Sequence, residues 1–202
     1  MSVRITKRVV DAERPSSKDR FLFDAEANRF LRRIYVRPDG TTARDLTIDS
    51  SVYGLWYFGM FLADDPQIVS TMKGVYDRLW CKTEVGGIAR YENDWYYQVS
   101  QDIANVPGNP WFICTMWYGQ WLVRQASTLD ELAPAKDILD WVAGAALPSG
   151  VLSEQLDPYS KAQLSVSPLT WSHATVVSLV HEYVRKQAAL TGTGKPARAR
   201  LA

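Results

Sequence analysis

The sequence predicts an all-α protein built from antiparallel helical hairpins. Apolar residues recur at helical spacing through most of the 202 residues, and the helices they predict fall into pairs joined by short links. Two long segments with little helical period separate these pairs, and strand-like alternation is limited to short ribbons within residues 85–100. The long segments should therefore lie together on one face, where functional residues are expected.

The first predicted helix covers residues 17–35, in which apolar residues recur at helical spacing. Ser16 and Ser17 are its predicted caps, and the turn formed by Pro38-Asp39-Gly40 should end it.

Two further helices are predicted as an antiparallel pair. The first covers about residues 49–63, with Asp49 as its cap, and the second begins at Asp65-Pro66 and ends near Trp80. The link between them is only a few residues, so the two helices should pack side by side.

The next pair begins at Asn109-Pro110, a polar cap followed by a first-turn proline, and its first helix continues to about Ala126. Its second helix is predicted over residues 129–142, with Pro134 near the first turn or at a kink.

A last helix is predicted to begin at Ser167-Pro168. One apolar stripe along this helix comprises Leu169, His173, Val176, Val177, Val180 and Val184. The two long loops are then residues 81–108 and 146–167, and loops of this length in a compact domain usually serve function.

Length indicates one domain or part of a larger one, and composition indicates no strongly charged partner. The net charge is +1, from 23 basic and 22 acidic residues that are mixed along the chain, so no nucleic acid or anionic membrane is implied. The segment 191–202, rich in glycine and basic residues, is expected to be a disordered tail. Residues 1–20 match no motif.

Two cysteines, Cys81 and Cys114, lie in apolar and aromatic sequence and lack metal-type spacing. They are expected to be buried thiols in a reducing compartment. No secretion signal or membrane span is recognisable, and a soluble, cytoplasmic protein is expected.

The long loops combine aromatic side chains with acids and an arginine. Residues 90–97 read Arg-Tyr-Glu-Asn-Asp-Trp-Tyr-Tyr, and the second loop carries Glu154. Sugar rings have apolar faces and a fringe of hydroxyls, so their sites need aromatic platforms with polar groups between them. This composition favours a carbohydrate site, while packing of a long loop or a protein interface would also explain it.

Four segments of the chain closely resemble the C-terminal half of glycoside hydrolase family 15, which contains glucoamylases, glucodextranases and some bacterial trehalases. They are residues 87–97, residues 108–112 (Gly-Asn-Pro-Trp-Phe), Ser153-Glu154-Gln155, and residues 168–173 (Pro-Leu-Thr-Trp-Ser-His). Their order and spacing fit the family over about residues 45–185.

The resemblance implies that residues 1–190 form the C-terminal half of an (α/α)6 toroid, with the active site where the long loops meet. It implies inverting, exo-acting hydrolysis of α-glucosidic bonds that releases glucose from non-reducing ends. Glu154 falls on the family's general base, which should be hydrogen-bonded and partly solvated. Arg90 matches the sugar-binding arginine, and Tyr96, Trp111 and Trp171 match aromatic residues of the pocket.

The family's general acid has no counterpart in this chain, and Glu84, which follows Trp80, does not match its motif. The chain is therefore expected to be a C-terminal fragment that is nearly inactive alone. A half ring should also expose apolar edges near Trp56, Phe58 and Phe61, through which it could self-associate.

Two alternatives stay open at this point: a trehalase of the same family, and a non-catalytic carbohydrate-binding or regulatory module. Acid and base suffice for glycoside hydrolysis, so no cofactor is implied. His173 and His181 lack the spacing of metal ligands and are interpreted as structural. Asp94 and Asp102 are expected to order the loop, with Asp94 or Asp102 able to orient Arg90.

Overall fold

The computed structural model describes residues 22–193. Five α-helices lie in this part of the chain, and they are α1 Gly54–Tyr57, α2 Pro66–Leu79, α3 Phe112–Gln125, α4 Leu129–Ala145 and α5 Thr170–Leu190. Helix α3 packs on both α4 and α5, and α4 packs on α5. The predicted Ser16 and Ser17 caps, the N-terminal segment and most of the predicted tail lie outside the described residues.

The prediction of a helix over residues 17–35 is wrong for the described part of that range. Two antiparallel hairpins occupy the region, formed by β1 Phe23–Asp24 with β2 Arg29–Phe30 and by β3 Arg33–Val36 with β4 Thr42–Asp45. Asn28 adopts a left-handed φ of 51°, which lets the chain reverse where a helix would continue. The Pro38-Asp39-Gly40 turn is real but joins two strands, with Gly40 at a φ of 82°.

The helix predicted over residues 49–63 is much shorter. A 3-10 turn at Ser50–Tyr53 leads into α1, and Gly59 stops the helix with a φ of 80°. Asp49 does cap the turn, since its carboxylate accepts a hydrogen bond of 2.9 Å from the Ser51 amide.

Helix α2 confirms its prediction in start and end. The Asp65 carboxylate accepts from the Gln67 amide at 2.9 Å, and Pro66 occupies the first turn. Ile68, Met72, Val75 and Leu79 recur every three or four residues and are buried.

The pair α3 and α4 is confirmed, with a later start for α3. Asn109-Pro110 does not cap it, because the helix begins at Phe112. Helix α4 is capped by Thr128, whose hydroxyl accepts from the Glu131 amide at 3.2 Å, and Pro134 lies inside the helix beyond its first turn.

Helix α5 differs from its prediction in both cap and orientation. Leu169 precedes the helix without a side-chain cap, so Ser167-Pro168 does not start it. The face buried against α3 and α4 carries Ser172, Thr175 and Leu179, while Val177, Val180 and Val184 are exposed. The predicted apolar stripe is therefore largely an uncovered surface.

The prediction of exposed apolar residues near Trp56, Phe58 and Phe61 is correct for only one of the three. Trp56 and Phe61 are buried, at 5% and 4% exposure, in a cluster with the face of α2. Phe58 is exposed, as are Met60 and Leu62 beside it. The turn after α1 thus presents a second uncovered apolar surface.

Both cysteines are buried free thiols, as predicted. Burial raises the pKa of the Cys81 thiol to about 12, and that of Cys114 is raised as well. Within residues 22–193, no helix has the length and hydropathy needed to cross a membrane.

The two long loops meet at the starts of three helical segments. The Ser50 amide donates to the Arg90 carbonyl at 2.8 Å, and the Phe112 amide donates to the Glu154 carbonyl at 3.3 Å. The Leu169 amide, just before α5, donates to the Leu152 carbonyl at 3.0 Å. One face of the helical assembly therefore carries both loops, as the sequence predicts.

Candidate active site

The centre of this face is an arginine fixed by a buried acid. The guanidinium of Arg90 donates two hydrogen bonds to the Asp94 carboxylate, from Nε at 3.0 Å and from Nη2 at 2.9 Å. Asp94 is only 1% exposed, and one of its oxygens also accepts from the Tyr96 amide at 3.1 Å. Burial alone would lower the pKa of Arg90, but the bonds to Asp94 outweigh burial and raise it. Arg90 is a permanent cation at a set position.

Three aromatic rings surround this cation. The Arg90 Cζ lies 4.5 Å from the ring centroid of Trp111, 4.8 Å from that of Tyr91 and 5.4 Å from that of Tyr96. Trp111 is 4% exposed, and its Nε1 is buried without a hydrogen-bond partner among the described residues. The cluster offers apolar ring faces and unused N–H donors together.

Glu154 lies on the second long loop, beside Gln155, and is partly exposed. Its carboxylate accepts from the Ser165 hydroxyl and, at 3.4 Å, from the Gln155 side-chain amide, and both donors contact Oε2. The other oxygen, Oε1, has no hydrogen bond within residues 22–193. The carboxylate is thus oriented through one oxygen and open at the other.

The side chain of Asn109 joins the two loops. The sequence predicted Asn109 as a helix cap, and this joining role was missed. Its side-chain amide donates to the Gln155 Oε1 at 2.9 Å and to the Tyr97 carbonyl at 2.7 Å, and its oxygen accepts from the Val99 amide at 3.2 Å. Trp111 and Gln155 also form an isolated antiparallel bridge. These contacts set the Arg90 loop and the Glu154 loop at a fixed separation.

Replacing Asn109 with alanine is expected to lower the free energy of unfolding by about 3 kcal/mol, because several buried polar groups lose partners at once. Urea unfolding followed by circular dichroism measures the change. Asn105→Ala is the matched control, since Asn105 is exposed and bonds only Asp102 through its side chain. Equal effects of the two substitutions would contradict the joining role of Asn109.

Trp171 lies in a different group from Arg90. It is 55% exposed, its ring is 5.6 Å from that of Trp117, and it lines a cleft of about 200 Å³. Tyr53, Tyr57, Gln120, Ala174, Thr175 and Ser178 also line the cleft with Trp117. Ser172, next to Trp171, bonds the Ser153 carbonyl at 2.8 Å, so the cleft adjoins the Glu154 loop.

The cleft contains residues that the sequence analysis missed. Tyr53 and Trp117 stack with centroids 4.2 Å apart and planes 8° apart. Each residue lies in a segment with apolar residues at helical spacing, which is typical of a buried core. No sequence signal therefore indicated that they line a cleft. Only the position of Trp171, from the family resemblance, pointed toward this cleft.

The remaining polar candidates have structural roles. His173 accepts from the Leu152 amide at 3.1 Å through Nε2, and Asp102 accepts from Asn105 at 2.8 Å. Asp94, rather than Asp102, orients Arg90. The part of the chain that the structure describes contains no group of three or more residues suited to hold a metal ion.

The fold is that of part of an (α/α)6 toroid, as found in glucoamylases. A bacterial glucoamylase solved with acarbose matches with a TM-score of 0.62 at 23% identity, over 78% of this chain and 25% of that chain. A glucoamylase from Saccharomycopsis fibuligera matches with a TM-score of 0.60 at 15% identity, over 93% of this chain and 50% of that one. These likenesses establish the fold.

Sequence comparison identifies relatives of the chain. A glycosyl hydrolase of Methanocaldococcus jannaschii, itself uncharacterized, is 30% identical over 166 residues, 75% of this chain. The trehalase of Mycolicibacterium smegmatis is 27% identical over 132 residues, 65% of the chain. The chain is therefore homologous to a glycosyl hydrolase and to trehalases, and it shares the fold of glucoamylases, which confirms the resemblance.

No protein-family model matches the chain. The chain spans 25% of the length of the Methanocaldococcus jannaschii relative and 18% of the Mycolicibacterium smegmatis trehalase.

Proposed function

We propose that this chain is the base-bearing part of an inverting, exo-acting glycosidase that releases glucose from the non-reducing ends of α-glucosides. The observation that carries the proposal is the open oxygen of Glu154, on a loop whose next residue, Gln155, is bridged to Trp111 of the aromatic cluster. Homology to glycoside hydrolases supports it. The activity belongs to the complete ring, by which we mean this chain assembled with the hairpins that close the toroid.

Glu154 has the environment that a general base needs. Two donors orient the carboxylate through Oε2, and partial exposure admits water. In inverting hydrolysis, a base takes a proton from the water that attacks the anomeric carbon from the face opposite the leaving group. Oε1 is the atom that would accept this proton.

Arg90 and its aromatic neighbours would bind the terminal glucose. Nε and Nη2 are held by Asp94, whereas Nη1 has no hydrogen bond within the described residues and can donate to a sugar hydroxyl. The Nε1 of Trp111, buried beside the guanidinium, also has no partner among residues 22–193. Tyr96 supplies an apolar ring at the same place. We include Trp171 as a contact from the adjoining cleft.

Replacing Arg90 with alanine is expected to weaken glucose binding by about tenfold or more, since a hydrogen bond from a charged donor contributes roughly 1.5–3 kcal/mol. Titration of the chain with glucose, followed by tryptophan fluorescence, measures the affinity. Arg78→Ala is the control, because Arg78 pairs with Glu92 in an exposed ion pair. Unchanged glucose binding in Arg90→Ala would refute this site.

The general acid would come from the hairpins that complete the ring. Glu84 is exposed and lies before the glycine turn at residues 86–87, so it is not assigned. General acid catalysis contributes roughly 10²- to 10⁴-fold, so the chain alone should release almost no glucose.

A trehalase is the second candidate, because two mycobacterial trehalases match the sequence. It would share the base, the arginine and the aromatic cluster. The two functions differ in what lies beyond the first sugar.

The uncovered apolar side chains would pack against the completing hairpins. They are Phe58, Met60 and Leu62 after α1, and Val177, Val180 and Val184 on α5. We expect the isolated chain to self-associate through them. Sedimentation equilibrium should show assembly that Val180→Lys weakens, whereas Val36→Lys, on hairpin β3–β4, should not. Equal effects would contradict this surface.

A further inference from the structure

A second arginine reaches the candidate site from the N-terminal hairpins. Arg32, which immediately precedes β3, lies with its Cζ 5.4 Å from the ring centroid of Tyr91. The Cζ of Arg90 lies 4.8 Å from the centroid of the same ring. Arg32 is outside the four segments that resemble the family, so no motif indicates a role for it. We propose that Arg32 is a positioning residue of the proposed glucose site, which acts on Arg90 through the Tyr91 ring.

The guanidinium of Arg32 is itself fixed. Its Nε and Nη2 donate to one oxygen of the Asp45 carboxylate, on β4, at 2.9 Å and 2.6 Å. Its Nη1 lies 3.9 Å from the Asp49 carboxylate, whose side chain is 12% exposed. Burial alone would raise the pKa of Asp45, but the hydrogen bonds from Arg32, Thr47 and Arg33 outweigh burial and hold that pKa well below its usual range. Asp45 is therefore ionised at neutral pH and holds Arg32 in place.

The two segments that Arg32 contacts are paired with each other. Asp49 and Tyr91 form an isolated antiparallel bridge, and the Ser50 amide donates to the Arg90 carbonyl at 2.8 Å. Arg32 contacts the side chains of both residues of this bridge. It therefore fixes the Tyr91 ring relative to the backbone that carries Arg90.

The Tyr91 ring in turn limits where the Arg90 guanidinium can lie. The guanidinium lies over this ring, and its Nη2 donates to the Tyr91 hydroxyl at 3.4 Å. The guanidinium is planar, so the direction of Nη1, the proposed donor to glucose, follows from the directions of Nε and Nη2. A shifted Tyr91 ring would therefore redirect this donor. This step rests on the proposed function, since it takes Arg90 as the cation that binds glucose.

Arg32→Met tests the positioning role, because methionine keeps a long, flexible side chain but lacks the charge and the planar fork. Titration of the full chain with glucose, followed by tryptophan fluorescence, should show an affinity weaker by about threefold to fivefold, as for the loss of one cation–π contact. Arg32→Lys keeps a cation near the ring and should recover part of the affinity. The NMR resonance of the Arg90 Nε–H should move in Arg32→Met, because three aromatic rings lie close to that guanidinium.

Arg33→Met is the matched control. Arg33 also donates to the Asp45 carboxylate, at 3.0 Å, and lies over a tyrosine ring, but that ring is Tyr35 on β3. Both variants lose a bond to Asp45, so an effect of hairpin stability alone would appear in both. We expect Arg33→Met to leave the glucose affinity and the Arg90 resonance unaltered. In a Tyr91→Leu background, Arg32→Met should cause no further loss of affinity, because its effect passes through that ring.

Three results of the glucose titrations would overturn the positioning role: an unchanged affinity in Arg32→Met, an equal loss in Arg33→Met, or the full loss in the Tyr91→Leu background. Failure of the proposed function is distinct, because it appears as glucose binding that Arg90→Ala leaves unaltered. The Arg90 resonance would then decide the role of Arg32 without glucose. Movement in Arg32→Met but not in Arg33→Met would support it, and a resonance that moves in neither would overturn it.

Discussion

Replacing Glu154 with glutamine is expected to lower kcat of the complete ring by about 10²- to 10⁴-fold, with little change in stability. Glutamine keeps the shape of the side chain and an oxygen that can accept from Ser165, but its amide cannot take a proton from water. Steady-state release of glucose from maltose measures the effect. KM should change little, since the substitution removes a group that acts mainly in the transition state.

Glu84→Gln provides the matched control for this experiment. Glu84 is an exposed acid on the first long loop, and its replacement should leave kcat unaltered. If Glu154→Gln retained full activity, Glu154 would not be the base. If Glu84→Gln removed the activity instead, Glu84 would be the general acid that no family motif identifies in this chain.

Replacing Asp94 with alanine is expected to lower the free energy of unfolding by about 3 kcal/mol. The substitution leaves the Arg90 cation among aromatic rings without its buried partner, and it removes the acceptor for the Tyr96 amide. We place the cost at the lower end of the range for a broken buried pair because the Arg90 side chain is 34% exposed.

Urea unfolding of Asp94→Ala beside Asp102→Ala measures the difference. Asp102 is an exposed acid of the same loop, so its loss should cost much less. Asp94→Asn should recover part of the loss, since the amide oxygen can still accept one hydrogen bond. Equal costs for the two alanine variants would contradict the role of Asp94 in fixing Arg90.

Elements with strong local signals could be predicted from sequence. Helix α2 has a capping acid, a first-turn proline and a regular apolar face, all of which act within a few residues. Helix α4 has a capping threonine with an acid three residues later. Such interactions do not depend on the rest of the fold, so the sequence alone specifies them.

Elements whose form depends on distant contacts could not be predicted. Residues 29–36 have apolar residues at spacing that suits a helix, but Phe30 is drawn into the cluster of α2, where the Thr71 hydroxyl accepts from its amide at 3.0 Å. Asn109 resembles a helix cap, yet its amide donates to Gln155, 46 positions away in sequence, and so joins the two loops. Helical periodicity also predicted the apolar stripe of α5, but it does not show which side of the helix is covered by neighbouring elements.

The candidate site, like the fold, could be predicted from the sequence only in part. Arg90, Trp111 and Glu154 lie in motifs that resemble a known family, so their proximity could be predicted. The choice of Asp94 over Asp102 as the partner of Arg90 required coordinates, as did the absence of a hydrogen bond on the Glu154 Oε1 within the described residues. The stacked Tyr53 and Trp117 beside Trp171 lie on separate elements and have no motif, and only the folded chain brings them together.

The anomer of the first glucose released from maltose by the complete ring tests the central claim most directly. Proton NMR distinguishes the two anomers before they equilibrate. We expect β-glucose first, because water activated by Glu154 attacks the face opposite the leaving group, and we expect the signal to vanish in Glu154→Gln. Release of α-glucose first, or β-glucose that persists in that variant, would contradict Glu154 as the base of an inverting reaction.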